Sequence, residues 1–108
     1  MPISKPYTSL MLFILVLILL GCKSQTELSA EQGAALAQLK LGKMYDKGEG
    51  VKEDKVYAYM WMNLAMNQGL GSTASDHKDE VAKQMTSAQI EEAEKLSIEC
   101  KKKSYRDC

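Results

Sequence analysis

Three cysteines and a single histidine are the residues in this sequence best suited to covalent, redox or metal chemistry. Cys22 closes an apolar run, while Cys100 and Cys108 stand eight positions apart. His77 lies in Asp76-His77-Lys78-Asp79-Glu80, a run of nitrogen and oxygen donors. A metal needs converging ligands, and neighbouring residues on a helix diverge, so this run reads as a solvated helix start. Its acidic residues favour the positive end of the helix dipole. No metal site and no cofactor is expected. Nor does the sequence carry a nucleophile elbow, a P-loop, a dinucleotide fingerprint or a zinc-spaced cysteine pattern. No catalytic residue is assigned, and an enzyme is not expected.

Charge narrows the choice further. Fourteen Lys and Arg balance 14 Asp and Glu over 108 residues, which argues against a nucleic-acid binder and allows one small domain. Lys101, Lys102 and Lys103 with Arg106 form a short basic run. It reads as charge complementing the last turn of a helix, the alternative being weak attraction to anionic lipid or to an acidic protein patch. Glu91, Glu92 and Glu94 offset it nearby.

The elements that position these residues begin with an address. Residues 10–20 form an unbroken apolar run, about 16 Å long as a helix and far short of a bilayer core of about 30 Å. Lys5 precedes it and Gly21-Cys22 ends it, the three-part layout of a secretory signal peptide. Leu19-Leu20-Gly21-Cys22 resembles the bacterial lipobox. The resemblance implies that residues 1–21 are removed and that Cys22 carries lipid. Lys23 after it points to the outer membrane, with the domain in the periplasm. An ordinary signal peptide is the competing reading. With Cys22 lipidated, Cys100 and Cys108 remain as an even pair in an oxidising compartment, and an intrachain disulfide is expected. That requires the last helix to stop near Lys103, with Ser104-Tyr105 turning the chain back. Intermolecular pairing through Cys108 is the alternative.

After a polar tether over 22–28, the helical domain is expected over 29–108. There is no Pro there and no sustained apolar alternation, so strands are poorly supported. Ser29 with Gln32 fits a capping box, followed by Ala34, Ala37, Leu41 and Tyr45 at helical spacing. Gly48 and Gly50 stop that helix, and Asp54 is placed to cap a second. Gly69-Leu70-Gly71 ends the second helix, and a third spans 75–85 with Val81, Ala82 and Met85 inward. Thr86 and Gln89 form another capping box, opening a fourth helix with Ile90, Ala93, Leu96 and Cys100 on one face. The expected class is all-α.

Within it, residues 35–69 resemble one Sel1-like repeat, a tetratricopeptide-related helix–turn–helix unit. The matching positions are Ala37-Gln38, Leu41-Gly42, Met44-Tyr45, Gly48, Gly50-Val51, Asp54, Ala58, Trp61, Ala65 and Gln68-Gly69. The resemblance implies a short α-solenoid fragment, with the repeat at about 34–69 and two capping helices at about 75–103. Its core would be Ala37, Leu41, Gly42, Tyr45, Ala58, Trp61 and Ala65, with Gly42 marking a close helix–helix approach. Met60 and Met62 flank Trp61 and cannot all face one way. At least one is therefore expected at the surface, making Tyr57, Met60 and Met62 candidate partner contacts.

The resulting expectation is a non-catalytic, lipid-anchored interaction module facing the periplasm, bound to an unidentified protein or peptide. A self-assembling envelope lipoprotein, or an inhibitor or immunity-type protein for an exported enzyme, is the alternative.

Overall fold

Ser24 caps the first helix of the computed structural model, which describes residues 24–108. The signal peptide expected over 1–21 and the lipid-bearing Cys22 lie outside the described residues. The tether expected over 22–28 is corrected, because from Ser24 onward it is a capped helix, α1 (Gln25–Glu31). Ser24 Oγ accepts from the Glu27 N–H at 3.2 Å, and Glu27 Oε2 accepts from the Ser24 N–H at 2.9 Å. This reciprocal box displaces the one expected at Ser29 and Gln32, and Ser29 falls inside α1. Gly33, at φ 81°, then breaks the chain with a backbone that side chains disfavour.

Next comes α2 (Ala35–Lys47), which ends at a left-handed Gly48 whose N–H donates to the Met44 carbonyl. Asp54 caps α3 (Lys55–Ala65), its Oδ1 accepting from the Tyr57 N–H at 3.1 Å. The loop between α2 and α3 is tied twice. The Asp54 N–H donates to the Tyr45 carbonyl at 2.9 Å, and Lys55 Nζ reaches Asp46 Oδ1 at 2.6 Å. The hydrogen bond to Asp46 holds the Lys55 ammonium above the usual lysine range. The ammonium's share of that tie is therefore complete at neutral pH and is lost as alkaline pH passes through the raised value.

A π-helical turn, Met66–Leu70, follows α3, and the chain reverses at Gly69, whose φ is 108°. Because that one residue makes the reversal, α4 (Gly71–Ala82) starts earlier than the expected 75. Thr86 opens α5 (Ser87–Lys102): its Oγ1 accepts from the Gln89 N–H at 3.2 Å, and Gln89 Oε1 accepts from the Thr86 N–H at 2.9 Å. Thr86→Ala removes one arm of this box and is expected to cost about 1 kcal/mol. In a domain of this size that lowers the thermal midpoint by about 4–8 °C. Thr86→Ser should melt like the wild type, and equal melting of Thr86→Ala would show that the cap contributes nothing.

The fold is all-α, with no strand among the described residues. Its centre is α3, which packs on α2, α4 and α5. Gly42 lets α2 lie against α3: a Cβ there would sit 2.8 Å from Met62 Cγ and 3.0 Å from the Ala58 carbonyl oxygen. On one side of α3, Leu39, Ala58, Tyr59, Met62, Ala65, Ala74, Val81 and Ala93 form a cluster. On the other, Ala30, Leu41, Met60, Trp61, Leu64 and Cys100 form a second. Of the core positions expected from the repeat pattern, Leu41, Gly42, Ala58, Trp61 and Ala65 are buried, whereas Ala37 and Tyr45 are half-buried at the rim. Gln38, fully buried, ties α1 to α2 through Nε2, which donates to the Ala30 carbonyl at 3.3 Å. Ser97 does the same for α3 and α5, its hydroxyl lying 3.4 Å from the Met60 carbonyl. No helix among the described residues is long and apolar enough to cross a membrane.

Candidate functional site

Three clefts each take part of their wall from residues 103–108. The structure joins Cys100 to Cys108, with 5.4 Å between their Cα atoms. A helix continued to residue 108 would hold those atoms about 12 Å apart. Instead α5 stops at Lys102, and the chain turns back through left-handed Ser104 and Tyr105. Tyr105 packs against the second core cluster, with its ring edge beside Gly33.

The first cleft, of about 220 Å³, is lined by Glu27, Glu31, Leu41, Tyr45, Trp61, Asp107 and Cys108. Its floor belongs to the core, since Leu41 and Trp61 are only 2% and 3% exposed. Leu41 and Tyr45 lie four apart on α2 and so share a face. Tyr45 also stacks on Tyr57, with ring centroids 5.5 Å apart. Its hydroxyl titrates above the usual tyrosine range, first because it is buried and then because the Glu27 carboxylate is near. Three carboxylates, on Glu27, Glu31 and Asp107, give the rim negative charge above an aromatic floor. Such an arrangement suits a cationic side chain, which gains from charge-assisted contacts to carboxylates.

The second is a groove of about 540 Å³ between Leu28, Glu31 and Gln32 on one bank and Ser104, Tyr105 and Arg106 on the other. The third, of about 130 Å³, is lined by Tyr57, Met60, Leu96, Glu99, Cys100, Lys103, Asp107 and Cys108.

The partner contacts expected at Met60 and Met62 are corrected. Both methionines are 1% exposed, one in each core cluster. The expectation assumed a solvent side for their helix, but α3 is covered on opposite sides by different helices. Tyr57 is half-buried and reaches the third cleft. His77 lies on α4 and lines none of the three clefts, and no group of His, Cys, Asp and Glu among the described residues could hold a metal ion. Lys101 and Lys102 close the last turn of α5, where cations complement the helix dipole.

Glu27, Glu31 and Asp107 were not legible as site residues. Glu27 and Glu31 share a face at a spacing of four, a signal that counts only once α1 is known to be a helix. Asp107 reaches the cleft through the disulfide turn and has no local signature. Comparison with protein-family models, curated proteins and solved structures finds no match to the chain.

Proposed function

We infer that the protein is a non-catalytic, lipid-anchored interaction module at the bacterial outer membrane, facing the periplasm, and that it engages a basic side chain of a protein partner. The observation that carries this reading is the first cleft: three carboxylates around a floor of Tyr45, Trp61 and Leu41. Support for the anchor comes from the lipobox-like Leu19-Leu20-Gly21-Cys22. Support for the interaction role comes from the likeness of residues 35–69 to a Sel1-like repeat, whose helices hold peptides and protein surfaces. Cleft and anchor are close in the chain, since only Lys23 separates Cys22 from the Ser24 cap of α1.

The test joins crosslinking in intact envelopes to a charge-removing variant. Glu27→Gln keeps a capping-box acceptor at the third helical position, so with Glu31→Gln it strips charge from the rim while sparing α1. The double variant should lose partner crosslinks by roughly tenfold, the scale of one charge-assisted contact. Unchanged crosslinking would remove the cleft from the reading. Cys22→Ala should abolish incorporation of labelled fatty acid and membrane fractionation, and normal fractionation would refute the anchor. Light scattering on the purified protein separates self-assembly from binding of a different chain.

A further inference from the structure

Charge divides α5 along its length. Glu91, Glu92 and Glu94 stand in its first half, whereas residues 95–106 hold five cations against Glu99 as the one acid. The helix dipole accounts for cations in the last turn. It does not account for Ile98, which is 59% exposed one turn before the helix ends. Ile98 shares a face with Lys95, Lys101 and Lys102, at spacings of three and four. A lone apolar side chain thus stands within a triangle of ammonium groups. All three lysines are exposed, and no ion pair among the described residues engages any of them. Glu94, one turn earlier on that face, is already engaged: its Oε1 accepts from the Tyr59 hydroxyl at 3.2 Å.

The start of the described chain lies at the same end of the fold. Glu27, whose carboxylate holds the Ser24 N–H, lines a cleft with Asp107 and Cys108. Leu28 and Gln32 face Ser104 and Arg106 across the second groove. The Arg106 N–H donates to the Lys103 carbonyl at 3.3 Å, which keeps Arg106 beside the lysines. Cys22 stands two positions before Ser24, so a lipid there would enter a bilayer near the basic end of α5.

We propose that the C-terminal end of α5 is a membrane-facing surface that binds the anionic headgroups of phospholipids. The ammonium groups of Lys95, Lys101 and Lys102 meet the phosphates, and Ile98 enters the interface between them. Ile98 lies about 6 Å along the helix from Lys102, within the roughly 5–10 Å to which apolar side chains sink at such a surface. Lysine stems are long enough to keep their charged ends among the headgroups while Ile98 goes deeper. Composition speaks against a protein in this place. Protein interfaces are depleted in lysine and enriched in aromatic rings, whereas this face is rich in lysine and carries no ring. The acidic first half of α5 would then point away from the bilayer. Headgroup contact and a lipid on Cys22 would reinforce each other, since each raises the local concentration of the other's target. That reinforcement rests on the anchor reading above, whereas the surface itself does not.

The test uses the full chain reconstituted into vesicles of phosphatidylcholine, alone or mixed with phosphatidylglycerol. Flotation equalises the amount of chain on each, so the result does not depend on whether Cys22 carries lipid. Amine acylation read by mass spectrometry should slow about fivefold at Lys95, Lys101 and Lys102 when phosphatidylglycerol is present, the scale of one lysine–headgroup contact. Exposed Lys40 and Lys52 should react at the same rate on both vesicles. High salt should abolish the protection by screening. Lys101→Gln combined with Lys102→Gln should return Lys95 to its rate on neutral vesicles, with an unchanged helical signal because both side chains are exposed. Unchanged rates at the three lysines would overturn the proposal. Equal slowing at Lys40 and Lys52 would overturn it too, as adsorption by charge without a preferred face. Protection of Lys95 that persists in the double variant would place the contact elsewhere and overturn it. Protection in intact envelopes that anionic vesicles fail to reproduce would overturn it in favour of an acidic protein partner.

Discussion

Trp61→Ala is expected to lower the unfolding free energy by about 3–5 kcal/mol, the range for emptying a large aromatic site in a core. The indole is 3% exposed and packs with Ala30, Leu41, Met60, Leu64 and Cys100. Those neighbours come from α1, α2, α3 and α5, so collapse into the void would require several helices to move together. A small domain holds only about 5–15 kcal/mol in total, and the variant loses a large share of it. Denaturant titration by circular dichroism measures the effect. An unchanged midpoint would mean that Trp61 is not part of the core.

Gly42→Leu is expected to cost about 3 kcal/mol, the upper end of the usual range for overpacking. The obstacle is partly backbone, since a Cβ at Gly42 would lie 3.0 Å from the Ala58 carbonyl oxygen and 3.3 Å from the Met62 nitrogen. Met62 Cγ, at 2.8 Å, could turn aside only into the filled first cluster. Gly42→Ala makes the comparison sharper. Alanine gains about 1 kcal/mol of helix propensity over glycine, so a net loss in that variant isolates the clash. A thermal midpoint equal to or above the wild type in both variants would show that α2 and α3 can separate without penalty.

Much of the helix plan was legible because its signals are short-range. Thr86 and Gln89 box the start of α5, Asp54 caps α3, and Gly48 ends α2, each through contacts spanning about four residues. The missed element, α1, has an equally local signal in Ser24 and Glu27. It was hidden because a polar stretch beside the lipobox-like motif reads as a tether, and because a second fitting pair, Ser29 and Gln32, competes with it. Only the burial of Ala30 against α2 and α3 favours the earlier pair.

By itself, the sequence determined the all-α class, the stops at Gly48 and Gly69, and the close approach at Gly42. Each follows from a cap, a backbone torsion or a side chain's absence, properties of a few adjacent residues. Tertiary structure alone decided that Met60 and Met62 are both interior. Periodicity can assign one inward face, but it cannot say that α3 is covered on opposite sides by different helices. Tertiary structure also decided the cleft, which brings Glu27, Tyr45, Trp61 and Asp107 together from four separate segments. Local patterns specify how a segment winds. Which distant segments meet depends on packing of the whole chain, and that is where the candidate site lies.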